Sequence, residues 1–133
     1  MGNISMGARD SVSMFAFEDL LVWQKAIDFA EAVIKTIDEF DAPRKHYRVI
    51  EQLESAAISV SSNIAEGKGR FSKKEFIHYM YIARGSLFET VSLLILIRRL
   101  AWIIESKLAE LKLLGEEITK MLNSLIKSVK LGK

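Results

Sequence analysis

Residues 72–100 read SKKEFIHYMYIARGSLFETVSLLILIRRL, and this stretch decides the fold. Its opening, Ser72-Lys73-Lys74-Glu75, matches a capping box, in which the serine hydroxyl and the glutamate each satisfy an amide that the first helical turn leaves unpaired. A helix is expected to start there. Phe76, Met80, Ala83, Leu87, Val91 and Leu94 then recur at spacings of three and four, the period of one helix face. Ile77, Ile82, Phe88, Leu93, Ile95 and Ile97 fall on the other faces, so this helix, expected to reach about Trp102, is apolar nearly all round. One buried face suffices for a helix in an isolated bundle, so this one must be covered on two or more sides, by a central position or by a second subunit. The pattern favours a second subunit.

Working outward, three more stripes of helical period appear. Leu20, Trp23, Ile27, Ala30, Ile34 and Ile37 mark a first helix, with Asp19 as its expected N-cap and Asp41-Ala42-Pro43 as its stop. Val49, Leu53, Ala56, Ala57, Val60 and Ile64 mark a second, which Gly67-Lys68-Gly69 should end through a left-handed glycine. A fourth starts near Ser106 and carries Leu108, Leu111, Gly115, Ile118, Leu122, Leu125 and Val129 as a heptad-like seam. No strand-like alternation appears, and the connections are short. The expected fold is therefore all-α, an antiparallel up-down-up-down four-helix bundle over residues 17–130. Residues 1–16 are expected to be an unstructured or appended leader, because MGNISMGARDSVSM has no apolar run before a cleavage site.

At 133 residues the chain suits one domain. It has no cysteine, which excludes disulfides, thiolate metal sites and a cysteine nucleophile and suits the cytoplasm. The unbroken apolar run Leu93–Ile97 is stopped by Arg98 and Arg99, far short of the roughly 20 residues that span a bilayer, so no membrane partner is expected. A net charge of +2 is small, but it is unevenly spread. Glu18, Asp19, Asp28, Glu31, Asp38 and Glu39 face only Lys25 and Lys35 in the first helix. Arg44, Lys45, Arg48, Lys68, Arg70, Lys73 and Lys74 outnumber Glu51, Glu54 and Glu66 in the next segment. Such segregation steers an anionic partner or pairs one subunit with the next.

Ser55, Ala56, Ala57, Ser59, Ser61, Ser62 and Ala65 make the second helix thin. Gly85 sits in the middle of the third at a cost of about 1 kcal/mol. Close approach of these two helices, with Gly85 receiving the thin face, would offset that cost. The same region holds a polar seam, Gln52, Ser55, Ser59, Asn63 and Glu66 with Arg84 and Glu89, which either fixes the register internally or binds a partner.

Motifs for chemistry are weak. Glu75-Phe76-Ile77-His78 has the E-x-x-H spacing of di-iron bundles, but the second pair and the further inward glutamates are missing, so no metal and no cofactor is expected. Gly67-Lys68-Gly69-Arg70 lacks the full P-loop spacing and no strand precedes it. What remains is a basic turn, Lys68, Arg70, Lys73 and Lys74, either a solvated loop or a phosphate contact; Phe71 within it either lids the core or stacks on a base. Nothing pairs a nucleophile with a base, so no enzyme is expected.

The runs Phe17-Glu18-Asp19-Leu20 with Val22-Trp23-Gln24-Lys25-Ala26, then Gln52, Ala56-Ala57, Ser59 and Asn63-Ile64-Ala65-Glu66-Gly67, then Ala83, Gly85-Ser86-Leu87 and Glu89 resemble a bacterial family. It is the four-helix-bundle family encoded in intervening sequences of 23S ribosomal RNA genes, also called the S23 ribosomal protein family. The resemblance runs from Phe17 to about Val129 and implies an antiparallel bundle that assembles into a ring, with a pentamer the expected form. It does not imply a ribosomal component. A similar bundle, the accessory protein of diversity-generating retroelements, carries a basic ring thought to bind nucleic acid.

Two functions follow. In the first, a homo-oligomer acts as an RNA-binding or nucleoprotein accessory factor through Arg44, Lys45, Arg48, Lys68, Arg70, Lys73 and Lys74. In the second, the protein is an interaction scaffold with no nucleic-acid role, its acidic first helix pairing with the basic junction of the next subunit.

Overall fold

Each apolar stripe occupies a helix of its own. The computed structural model describes residues 15–42 and 46–132, and it contains α1 (Leu21–Ile37), α2 (Tyr47–Lys68), α3 (Lys73–Arg99) and α4 (Glu105–Lys130). Among the described residues there is no strand. Most of the leader expected over residues 1–16 lies outside them, as do Pro43, Arg44 and Lys45. The helices meet in cyclic order, α1 with α2, α2 with α3, α3 with α4 and α4 with α1, and the diagonal pairs do not approach. That is the antiparallel up-down-up-down bundle, its core centred on Phe29, Leu53, Ile64, Met80, Leu87, Leu94, Leu111, Ile118 and Leu122.

The sequence misplaces the inward face of α1. Val22, Ala26, Phe29, Ala30, Val33 and Thr36 are buried, whereas Ile27 and Ile34 of the expected stripe are 39% and 36% exposed. Phe29 explains the rotation. It is fully buried and its ring edge reaches Gly115 of α4, where an added Cβ would stand 3.9 Å away. Burying Phe29 together with Val22 and Val33 outweighs burying the two isoleucines. The start also differs. Asp19 closes a 3-10 turn, Ala16–Asp19, and the N-cap is Leu20, with no side-chain cap; Gln24 Nε2 instead donates to the Glu18 carbonyl at 2.7 Å. The helix stops at Ile37, ahead of Asp41, because the Asp41 amide donates to the Trp102 carbonyl at 3.1 Å across the end of the bundle.

Close approach of α2 and α3 is present, but a different glycine permits it. A Cβ on Gly85 would meet nothing within 4 Å, whereas a Cβ on Gly67 would lie 2.7 Å from both Tyr79 Cβ and Met80 Cε. Ser86, not Gly85, faces α2, its Oγ standing 2.9 Å from Ser59 Oγ. Gly85 lies on the outward face of α3 beside Ile82 and Phe88, which are 37% and 53% exposed. This helix is long and apolar enough to cross a membrane by length and composition, and only 33% of the most apolar window is buried in the protomer. The count of unbroken apolar residues had missed this, since Arg84 and Glu89 interrupt the run without removing its hydropathy.

Helix α3 ends at Arg99, earlier than expected, in a Schellman turn. The Trp102 amide donates to the Ile97 carbonyl at 3.1 Å and the Ala101 amide to the Arg98 carbonyl at 2.9 Å, the pair of bonds that satisfies the last carbonyls. Ala101 holds the left-handed position at φ 64°, which costs an L-residue with a Cβ about 1–2 kcal/mol. The turn brings Trp102 to 6% exposure, with Phe40 and His46 rings 6.3 and 5.2 Å away. On α4 the buried residues are Leu108, Leu111, Gly115, Ile118, Leu122 and Ile126, so the seam drifts from Leu125 to Ile126 as a straight helix outruns a heptad. Replacing Ala101 by glycine relieves the left-handed strain and is expected to raise stability by about 0.5–1 kcal/mol after the added unfolded-state entropy. Thermal unfolding by circular dichroism checks this; an unchanged or lower midpoint would show that the turn is unstrained.

Candidate nucleic-acid interface

The turn between α2 and α3 is short because both of its ends are fixed. At its start, Gly67 is pinned against Tyr79 and Met80, and the Gly69 and Arg70 amides donate to the Glu66 and Gly67 carbonyls at 3.2 and 3.1 Å. Gly69 is right-handed, φ −81°, so the left-handed glycine expected here does not occur; those two bonds end the helix without it. At its close, Ser72 Oγ accepts the Glu75 amide at 3.1 Å and donates to Glu75 Oε1 at 3.4 Å. Half of the expected capping box is thus formed: the serine caps the Glu75 amide, while the glutamate carboxylate meets the serine hydroxyl in place of its amide.

Between these clamps the side chains have nowhere to go but outward. Phe71 is 105% exposed, so it is no lid on the core. Lys68, Lys73 and Lys74 are exposed around it, and among the described residues none of the three forms an ion pair. Arg70 behaves differently. It donates to Glu66 Oε2 at 2.6 Å and to the Tyr79 hydroxyl at 2.8 Å, with its guanidinium 4.9 Å from that ring's centroid. These contacts hold its pKa above the ordinary value, Tyr79 contributing most and Glu66 adding to it, while partial loss of water works the other way. Arg70 therefore braces the turn.

Of the seven expected nucleic-acid residues, the five described ones do not form one surface. Lys68, Arg70, Lys73 and Lys74 share the turn, but Arg48 lies in the first turn of α2, twenty residues and about 30 Å of helix away. Arg44 and Lys45 lie outside the described residues.

The polar seam also divides. Gln52 Nε2 donates to Glu89 Oε2 at 3.2 Å, Ser59 meets Ser86, and Asn63 Nδ2 donates to the Ser59 carbonyl and hydroxyl, both at 2.8 Å. The Gln52–Glu89 and Ser59–Ser86 bonds form a ladder between α2 and α3, which Asn63 supports from within α2, with Glu66 at its end on Arg70 and Ser55 exposed beside it. Arg84 is not part of it. It turns to α4 and donates to Asn123 Oδ1 at 2.8 Å, because residue 84 falls on the far side of α3 from Ser86. Glu66 and Glu89 are both exposed. His78 packs edge-on to Tyr79 at 5.6 Å, while Glu75 serves the cap.

Sequence reasoning passed over Lys127 and Lys130, in the last turn of α4, where cations complement the helix dipole and so attract no notice. It also missed Asn123 and Tyr79 as partners, which only the pairing of helices reveals.

The fold and the turn define the class: an all-α, up-and-down four-helix bundle whose α2–α3 connection is an aromatic-tipped basic turn. Within it, the chain belongs to the family of 23S rRNA-intervening sequence proteins, whose family model matches residues 18–124. Comparison with curated proteins gives no match. Among solved structures it is similar to a protein of unknown function from the S23 ribosomal protein family of Bacteroides thetaiotaomicron. The two share 26% identity over 80% of this chain and 99% of that one, with a TM-score of 0.74.

Gly67 sets the height of the turn, so Gly67→Val, which forces a branched side chain between Tyr79 and Met80, is expected to cost about 2 kcal/mol or more. Gly85→Ala, in open space, is expected to add about 1 kcal/mol through helix propensity. Urea unfolding of both variants checks the contrast, and equal midpoints would contradict it.

Proposed function

We propose that this protein is a non-enzymatic homo-oligomer of the cytoplasm that binds RNA as a nucleoprotein accessory factor. The observation that carries the reading is the α2–α3 turn: a fully exposed Phe71 close in sequence to Lys68, Lys73 and Lys74, none of which forms an ion pair among the described residues. An apolar ring held wholly in water gains nothing for the fold. Placed among free cations, it suits a polyanion with flat bases, which stack for about 1–3 kcal/mol each while the lysines neutralise phosphates.

Oligomerisation is supported by the outward face of α3, where Ile82, Phe88, Ile95 and Leu96 are 37–53% exposed around the open Gly85. Arg84 and Glu89 lie mid-helix beside this face, and a charge at the centre of a spanning helix costs about 2.5–3.5 kcal/mol, so another copy suits it better than lipid does. A pentameric ring, the form the resemblance implies, would repeat the basic turn and multiply weak contacts.

Fluorescence anisotropy of the full chain with a structured RNA and a duplex DNA at several salt concentrations tests the reading. Affinity is expected to fall steeply with salt, and Lys68→Glu with Lys73→Glu and Lys74→Glu to flatten the single-strand slope by about 2. Phe71→Ala is expected to weaken binding roughly 5- to 100-fold with no change in melting temperature. No binding at low salt would transfer the weight to a protein-interaction scaffold. Sedimentation velocity reads the assembly: Phe88→Arg should dissociate it, and an unaltered sedimentation coefficient would remove α3 from the interface.

A further inference from the structure

The same end of the bundle holds a second group of cations, in the cleft between α3 and α4. Lys73, Tyr81 and Arg84 share one face of α3, and Asn123, Lys127 and Lys130 one face of α4, by their spacings of three, four and eight. Lys130 Nζ donates to the Tyr81 hydroxyl at 2.7 Å and lies 5.3 Å from that ring's centroid. The Arg84 guanidinium lies 4.9 Å from the same centroid and is held by Asn123. Lys127 lines the cleft, about 320 Å³ in volume, with Arg84 and Lys130. Lys73 reaches across to the end of α4, its Nζ 3.5 Å from where a Cβ on Gly132 would stand. Among the described residues no carboxylate pairs with any of the four cations.

Helix electrostatics account for only half of this cluster. Lys127 and Lys130 complement the C-terminal end of α4, but Lys73 sits at the N-terminal end of α3, where the dipole disfavours a cation, and Arg84 is in mid-helix. Tyr81 offsets the mutual repulsion by offering its π face to Arg84 and Lys130 together. With those cations against it, the ring is not free to stack on a base. The cleft is thus shaped for negative charge and not for base recognition. Lys73 to Arg84 spans eleven residues, about 16 Å of helix, so the cations follow one line along the groove.

We infer that the α3–α4 cleft around Tyr81 is a phosphate track, which takes the backbone of the single strand whose base stacks on Phe71 in the adjoining turn. Lys73, shared by turn and cleft, joins the two. The inference rests on the nucleic-acid reading above and divides its labour: Phe71 holds a base, while Arg84, Lys127 and Lys130 hold phosphates and Tyr81 positions them.

The test is anisotropy of labelled oligouridylate with the full chain across a salt series. Lys127→Gln with Lys130→Gln is expected to lower affinity at low salt at least tenfold and to reduce the log–log salt slope by about 1.4, two single-strand contacts. Tyr81→Leu removes no charge and should still weaken binding several-fold, whereas Phe71→Ala should weaken it without changing the slope. Far-ultraviolet dichroism and melting of each variant confirm that the helices remain. If the wild type binds and the turn variant loses binding while the Lys127/Lys130 variant keeps both affinity and slope, the track is wrong and the turn stands. If the wild type does not bind oligouridylate at any salt, both are wrong.

Discussion

The contact between α2 and α3 at Gly67 is the constraint on which the rest of the bundle depends. With no Cβ at this point, Tyr79 and Met80 come down onto the α2 backbone, and the helices converge where the chain must reverse. Convergence makes the connection short. It also sets the register in which Ser59 meets Ser86 and Gln52 meets Glu89, so the polar ladder is a result of packing and a lock upon it. The small side chains of α2 are the sequence-level cause; a bulkier residue at Ala56 or Ala57, both nearly or fully buried, would spread the pair and undo the ladder.

The two ends of the bundle solve opposite problems. At one end, Trp102 is enclosed by Phe40 and His46 and tied by its backbone to both Asp41 and Ile97, with Arg98 bonded to Glu105 and to the Ile103 carbonyl. Trp102 is closed off there, although Leu100 and Ile104 beside it stay 46% and 68% exposed. At the other end Phe71 stands in water, and among the described residues Lys68, Lys73 and Lys74 have no acidic partner. A protein selected for stability alone has no use for a wholly exposed aromatic ring, and this is why the basic end draws functional interest.

Helix number, order and type were legible because 3.6-residue periodicity is a strong signal and because Ser72 and Glu75 announce a cap. Rotation about a helix axis was less legible. For α1, apolar residues occupy two adjoining faces, and only the three-dimensional match of Phe29 to Gly115 decides between them. Glycine roles were exchanged for a similar reason: Gly85 interrupts a long apolar helix and draws the eye, while Gly67 beside Gly69 looks like a terminator, and nothing local reveals which has a neighbour. The end of α3 was hidden because alanine stands where a Schellman turn usually shows glycine. Of the candidate site, the basic turn was visible as a cluster in sequence. Its separation from Arg48 follows only from the rise of a helix, and its continuation to Lys127 and Lys130 required knowing that α4 ends beside α3.

The cyclic order of contacts bears on how the molecule is made. Three of the four helix pairings join neighbours in the chain, and α1 with α4 is the one that spans it. Loops that short cost little closure entropy, and topologies rich in local contacts cross low barriers. The hairpins α1–α2 and α2–α3 can therefore assemble as the chain emerges during synthesis, with α4 docking last to complete both the core and the cleft that it forms with α3.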